Sequence, residues 1–350
     1  MSGKRQHFIP RFLQRGFANE KDGKYFSSFC NKEKIKENIV IENIGVENYF
    51  YSVDGDCLID EEITNREIYE YSGIHKMLLN NSYQLDGSNP SSLAEFIAHL
   101  ESRTRHIRVS FINSSSYLID AIFSKLKNRD TLYQYLESAF FSNPEKTHTL
   151  LKENMIGKDI PPHFHDMLKE VLYHSYDKWL PEVISNIADK ILPVLHNEIP
   201  TILIESAKKG HVNSFVDGVS PKLKAKKYEK LKYKIMKVDK PLILGDSIVF
   251  FEINSERGFK PYCDEDDILE AVYFPLDEHT LLYGFKSEYK PRVENINTII
   301  SQCSLEFFIF KEKFEEVEAL QKQIGTNAHL LTHGEIDEII EGVMSSYLFG

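Results

Sequence analysis

The chain has 350 residues, of which 42% are hydrophobic and 27% are charged, and its formal net charge is −11. This length allows two domains or one elaborated domain, and the composition is that of a globular protein rather than a disordered or fibrous one. The negative charge excludes a protein coated with basic surface for non-specific nucleic-acid binding, although it allows a local basic groove.

The opening residues, MSGKRQHFIP, contain no apolar core of signal-peptide length. No later stretch approaches the ~18–20 uninterrupted apolar residues of a membrane span. We therefore expect a cytoplasmic protein that has no membrane partner.

The segment QHFIPRFLQRGF, residues 6–17, is the strongest candidate for chemistry. Pro10 disfavours a helical conformation for the residue before it, so we predict an extended His7 and a helix that begins at or near Pro10. His7 could then act as general base, metal ligand or anion contact just before a helix N-terminus, with Arg11 and Arg15 one turn apart as substrate-binding residues. The alternative is structural, with His7 hydrogen-bonded into a sheet and the phenylalanines in the core.

Two alternating segments, KYFSSFC at 24–30 and KIKENIVIENI at 34–44, predict two strands that form a hairpin. From Ile59 the apolar spacing is nearer 3.6, which predicts an amphipathic helix.

Acidic residues of this helix are candidate metal ligands. One member of the run Asp60–Glu62 should share a helical face with Glu67, and we assign Glu61 to this role. Two carboxylates on one face, with a third from the sheet, can hold Mg²⁺ or Mn²⁺. The alternative is a solvated first turn, where acidic side chains interact favourably with the helix dipole.

The middle of the chain, to about Leu192, is predicted to be almost wholly helical. Within HLESRTRHIR, the residues His99, Arg103 and His106 have i, i+4 and i+7 spacing, which would place them on one face. Such a face can bind a phosphate through the planar guanidinium fork. The alternative is that acidic neighbours neutralise these arginines.

The last third is rich in Val, Ile, Phe and Tyr between turn signals, which predicts strands. In LILGDSIVF an apolar run stops at Gly245 and resumes at Ile248, so Asp246 is presented at a strand end or bulge. A buried carboxylate must be paired, hydrogen-bonded or metal-bound, and the alternative is a turn residue that caps local N–H groups. Thr332, three residues before Glu335, predicts a capping box for a final helix.

Eight lysines fall between Lys222 and Lys237, interleaved with tyrosines. Basic residues with aromatics suit nucleic acid, and we assign Lys226 and Lys227 to substrate binding. The alternative is a solvated loop that leads into an edge strand.

Several common motifs are absent from the sequence, namely a Walker loop, G-x-G-x-x-G, G-x-S-x-G and H-E-x-x-H. Nucleotide-driven motors, Rossmann dehydrogenases and zincins therefore lose support. The cysteines are scattered without a C-x-x-C pair, which predicts free buried thiols at Cys30, Cys57, Cys263 and Cys303.

Five segments together resemble the bacterial family called domain of unknown function 4238. They are QHFIPRFLQRGFA, IDEEITNREI, ESRTRHIR, LILGDSIVF and YFPLDEHTLLYG. The resemblance spans about Lys4 to Phe310, and the chain departs from the family pattern at Gly245 and Ile248. It implies that six residues meet in space, although the family carries no activity to transfer: His7, Pro10, Glu61, Glu67, Arg103 and Asp246.

We expect an α+β fold in which N-terminal and C-terminal segments form a mixed or antiparallel sheet against a central helical bundle. The expected parts are the opening strands at 1–57, a helical region at 58–200, a lysine-rich insertion at 201–237 and the completing strands and helices at 238–350.

The function we expect is metal-assisted phosphodiester hydrolysis of nucleic acid by a phage-defence or toxin-like effector. Glu61, Glu67 and Asp246 would hold the ion, His7 would activate water, and Arg103 would steady the phosphate. The alternative is a non-catalytic sensor or interaction module that binds a phage or host protein. The sequence leaves the oligomeric state open.

Overall fold

The structure is a computed structural model, and it describes residues 4–52, 58–85, 90–128, 174–215, 222–329 and 331–348, with single positions between 130 and 171. The chain divides into two compact units. The first unit combines Met1–Phe111 with Ser206–Leu330, and the second combines Ile112–Glu205 with Leu331–Gly350.

One sheet of the first unit joins the two ends of the chain. Its strands run in the order β2 (Asn19–Lys21), β3 (Lys24–Asn31), β12 (Phe307–Phe310) and β7 (Leu244–Gly245), with β4 (Ile35–Val40) paired to β3. All these pairings are antiparallel. The predicted β3–β4 hairpin and the predicted sheet of N-terminal and C-terminal segments are therefore confirmed.

A second antiparallel sheet is built from the C-terminal third alone. Its order is β6 (Lys232–Lys237), β11 (Thr280–Phe285), β10 (Leu269–Asp277), β8 (Phe250–Ile253) and β9 (Phe259–Lys260). The Val-, Ile-, Phe- and Tyr-rich segments predicted to be strands fall here. Most residues of β8 and β10 are buried, as expected for the middle of a sheet.

A short ribbon holds the opening motif. Strand β1 (Arg5–His7) pairs antiparallel with β5 (Val46–Asn48), with His7 opposite Val46. Pro10 then precedes the short helix α1 (Arg11–Gln14), and a 3-10 turn continues to Phe17. The predicted extended segment and the helix start at Pro10 are confirmed.

Helices of the first unit cover these sheets. They are α2 (Leu58–Arg66), α3 (Ser72–Leu79), α4 (Pro90–Arg103), the start of α5 (His106–Leu126), the end of α7 (Leu192–Asn213), α8 (Lys222–Tyr228), α9 (Ile296–Cys303) and α10 (Val317–Gln321). A π-helical turn, Glu67–Tyr71, joins α2 to α3. Phe96 of α4 stacks on Tyr71, with ring centroids 5.0 Å apart, and meets Phe274 of β10 edge-on at 5.6 Å. These contacts place α4 and the π-turn on one shared core.

The described residues of the second unit are mostly helical, and they include α6 (Tyr176–Asn186) and α11 (His333–Leu348). The predicted capping box is confirmed, because the main-chain N–H of Thr332 donates to Glu335 and that of Glu335 donates to the Thr332 hydroxyl. Tyr117 donates to Asp337 at 3.0 Å within this unit. Among the described residues, no helix is both long enough and apolar enough to span a membrane.

The structure confirms the α+β class. Cys30, Cys263 and Cys303 are free and buried, as predicted, and Cys57 lies outside the described residues.

Candidate functional site

A cavity of about 350 Å³ lies against the opening motif, entirely within the first unit. We call it the arginine cavity, and its charged or titratable lining residues are Arg5, His7, Arg11, Arg15, Asp60, Glu67 and Arg103. The β1 strand and α1 supply one wall, and α2, the π-turn and the end of α4 supply the rest. Residues distant in sequence thus share one polar cavity.

His7 is neutral at physiological pH. Burial, together with the nearby charges of Arg11, Arg103 and Arg5, lowers the pKa of His7 to about 4, although a hydrogen bond with the main chain of Glu42 opposes the fall. Its Nε2 atom is buried and has no hydrogen-bond partner among the described residues. A buried polar atom of this kind calls for a partner. A neutral imidazole nitrogen can accept a proton.

Arg103 is engaged by the protein itself. It pairs with Glu67, donates to the main-chain oxygen of His7, and donates from Nε to the Tyr51 hydroxyl at 3.1 Å. Its side chain is only 4% exposed. The guanidinium that we expected to steady a phosphate therefore joins α4 to the β1 strand and to the π-turn.

Arg11 and Arg15 have a different environment. Both are at least partly exposed, and no carboxylate pairs with either of them in the part of the chain that the structure describes. Arg15 lies over the Tyr25 ring, 5.2 Å from its centroid, which limits its freedom without neutralising its charge. These two guanidiniums are free to bind an anion. By contrast, Arg5 is held by the main-chain oxygen of Glu42 at 2.9 Å and by Asn43 at 2.8 Å.

Asp60, and not Glu61, faces the cavity together with Glu67. Asp60 is buried whereas Glu61 is exposed. Seven residues complete almost two whole turns of a helix, whereas six residues end about 120° away from the starting face. Desolvation raises the pKa of Asp60, and the charge of Arg103 and a hydrogen bond from Gln6 oppose this rise. The prediction for Glu61 is therefore wrong, because Asp60 is the residue that lines the cavity together with Glu67.

Asp246 does not join the arginine cavity. Its Oδ1 accepts from the N–H of Leu305 at 2.7 Å, and its Oδ2 accepts from Glu306 at 2.8 Å and Phe307 at 3.3 Å. Burial raises the pKa of Asp246 to about 7, against the lowering effect of these N–H donors. The carboxylate therefore caps main-chain groups where β7 meets the start of β12, which was the alternative interpretation of this segment.

His106 does not share a face with Arg103. The chain bends at Thr104 and Arg105, between α4 and α5, so the i+7 spacing does not continue in one helix. His106 is 1% exposed, and burial lowers its pKa to about 3. Its imidazole is therefore neutral and cannot bind a phosphate through a positive charge. His99 does share a face with Arg103, since its Nε2 lies 3.4 Å from Glu67.

The lysine pair lies elsewhere. Lys227 donates to the main-chain oxygens of Asp264 and Asp267, each at 2.8 Å, so it holds a loop together. Lys226 is exposed on α8. Neither residue lines the arginine cavity.

Gln6 supports the cavity and was missed by sequence reasoning. It is buried, donates to Ser52 at 2.8 Å and accepts from the main-chain N–H of Tyr51 at 2.6 Å. This fixes β1 against the segment that follows β5. Gln6 stands between two other polar residues in a three-residue strand, so no hydrophobic periodicity marks it. Only the Q-H pair of the family pattern could have identified it.

Among the described residues, no group of three or more His, Cys, Asp or Glu side chains is arranged to hold a metal ion. Asp60 and Glu67 are the carboxylates of the arginine cavity, and Glu67 is already paired with Arg103.

The comparisons with known proteins agree with the resemblance noted in the sequence. The model of a family described as protein of unknown function, DUF4238, matches residues 5–331. No curated protein and no solved structure matches the chain.

Proposed function

Because the chain belongs to the DUF4238 family of proteins of unknown function, which supplies no activity, we propose from the geometry of the arginine cavity that the protein hydrolyses phosphodiester bonds of nucleic acid. One observation carries the proposal. Two guanidiniums without carboxylate partners, Arg11 and Arg15, line the same cavity as a neutral histidine whose Nε2 has no partner among the described residues.

Each group has a role that its environment supports. Arg11 and Arg15 bind the phosphate oxygens, since a guanidinium fork matches them in shape and charge. His7 takes a proton from water as the water oxygen attacks phosphorus. The ester P–O bond breaks, and the departing oxygen takes a proton from the surrounding water.

Mg²⁺ or Mn²⁺ fits this cavity only in part. Asp60 would hold such an ion together with substrate oxygens, because Mg²⁺ commonly uses one or two carboxylates plus phosphate. The ion would add charge stabilisation at the phosphate. If cleavage persists in EDTA, the arginines alone stabilise the charge of the phosphate. If cleavage is lost in EDTA and restored by Mg²⁺, Asp60 acts as a ligand of the ion.

The direct test replaces His7 with glutamine and measures cleavage of labelled DNA and RNA. We expect a loss of about a hundredfold or more, because a positioned general base typically contributes this much. His174→Gln, an exposed histidine of the second unit, is the matched control and should cleave at the wild-type rate. Circular dichroism verifies that both variants are folded, and equal rates for wild type and His7→Gln would contradict the proposal.

The pH profile gives a second prediction. An ordinary histidine loses its basic form below a pKa of ~6.5. Since burial and the cavity arginines lower the pKa of His7 to about 4, the cleavage rate should stay nearly constant from pH 7 down to about pH 5 and fall near pH 4. A rate that already falls below about pH 6.5 would show that another group is the base.

A non-catalytic sensor or interaction module is the second candidate. It is favoured by Arg103 and Asp246, whose hydrogen bonds are used within the protein. Binding of nucleic acid without cleavage in any metal would support it. A role in phage defence or as a toxin stays a prediction, because it concerns the cell and not this cavity.

A further inference from the structure

A second cavity adjoins the arginine cavity. It has a volume of about 540 Å³ and shares Phe12, Arg15 and Ser72 with the arginine cavity as lining residues. We call it the adjoining cavity. The two together form a depression that extends along α1 and α3, longer than one phosphate group requires.

Three cations of this depression have no carboxylate partner among the described residues. Arg11 belongs to the arginine cavity, Arg15 to both cavities and Lys76 to the adjoining cavity. No carboxylate pairs with any of the three within the described residues. Lys311, which also lines the adjoining cavity, is by contrast neutralised by Glu278 at 2.6 Å. Asp277 also lines the adjoining cavity, and its carboxylate accepts from a main-chain N–H. Three positive charges without partners fit a ligand with several negative charges.

One aromatic ring lines both cavities together with these cations. Phe12 is half-buried, and its ring lies 5.4 Å from His75 and 6.2 Å from Phe96. These neighbours hold the ring in place while it lines both cavities. Basic residues that alternate with aromatics are typical of surfaces that track a backbone and stack its bases.

From this arrangement we propose that the ligand is a single-stranded nucleic acid, which passes from the arginine cavity into the adjoining cavity and stacks one base on Phe12. Successive phosphates contact Arg11, Arg15 and Lys76. A duplex keeps its bases paired and stacked within the helix, so it cannot make the Phe12 contact. The inference rests on the proposed function and names its substrate class.

The test is binding measured by fluorescence anisotropy in EDTA, with short labelled single strands of DNA and RNA and with the corresponding duplex. We expect the single strands to bind more tightly than the duplex. Phe12→Leu keeps an apolar side chain but removes the ring, and it should weaken strand binding about fivefold or more.

A salt titration tests the cations separately, with exposed side chains that do not risk the core. The double variant Arg15→Gln/Lys76→Gln should reduce the slope of log K against log salt by about 1.4, since each single-strand phosphate contact contributes ~0.7. Lys290→Gln, an exposed lysine outside both cavities, is the control and should leave the slope unchanged.

The outcomes separate this inference from the proposed function. Duplex binding as tight as strand binding, or an unchanged slope in the double variant, would overturn the inference even if the protein cleaves nucleic acid. If the variants weaken strand binding but no metal supports cleavage, the result would contradict hydrolysis and still support the single-strand binding site.

Discussion

Replacing Arg103 with methionine is expected to lower the free energy of unfolding of the protein by about 3–5 kcal/mol. The change leaves the carboxylate of Glu67, only 14% exposed, without its ion-pair partner. It also removes the donors to the main-chain oxygen of His7 and to the Tyr51 hydroxyl. Removing one member of a buried ion pair costs this much because the remaining charge cannot be solvated.

Two comparisons make the Arg103 prediction specific. Arg66→Met removes a partly exposed arginine that pairs with Glu70 at 3.2 Å and Glu95 at 3.8 Å, and pairs so near the surface should cost about 1 kcal/mol each at most. The double variant Arg103→Met/Glu67→Leu removes both charges and should recover part of the loss. Urea unfolding supplies the free energies, and an Arg103→Met effect no larger than that of Arg66→Met would refute the proposed structural role.

Replacing Asp246 with asparagine is expected to cost about 1–3 kcal/mol of unfolding free energy at pH 8, because a buried donor without an acceptor costs this much. Both oxygens of Asp246 accept main-chain N–H groups. Asparagine places an amide N–H₂ where one oxygen was, so a buried donor faces another donor. At pH 8 the carboxyl of the wild-type protein is ionised, since its pKa is raised only to about 7.

Asp239→Asn is the control for the same chemical change at an exposed position. Surface substitutions of this kind usually alter stability by less than ~0.5 kcal/mol. Chemical denaturation of both variants at one pH makes the comparison. If Asp246→Asn is as stable as Asp239→Asn, the carboxylate does not hold the start of β12. Cleavage by Asp246→Asn should match the wild type while the variant stays folded, because Asp246 lies outside the arginine cavity.

The sequence predictions that the structure confirmed depend on interactions between residues that are close in the chain. Pro10 restricts its own φ and the residue before it, so the extended segment and the start of α1 could be predicted. Alternation of period two predicted the β3–β4 hairpin. The reciprocal side chains of Thr332 and Glu335 predicted the last helix. Each of these signals involves residues only a few positions apart.

Two predictions about residues that share a helical face were wrong. One assumed an unbroken helix, and the other miscounted the residues per turn. His106 would share a face with Arg103 in an unbroken helix, but the bend at Thr104 and Arg105 turns the chain. Glu61 and Glu67 are six residues apart, and a strict count of 3.6 residues per turn would have selected Asp60. The first error required knowledge of the packing, whereas the second could have been avoided.

The sequence alone therefore determined the fold class, the strand pairs that are close in the chain, and the opening motif as a place where charged side chains gather. Only the tertiary structure decided which partner each charge has. Arg103 meets Glu67 and the main chain of His7, Asp246 meets the N–H groups of Leu305 to Phe307, and Arg11 and Arg15 meet no carboxylate among the described residues. The reason is physical, since a buried charge must find compensation wherever the fold brings it, across any distance in sequence.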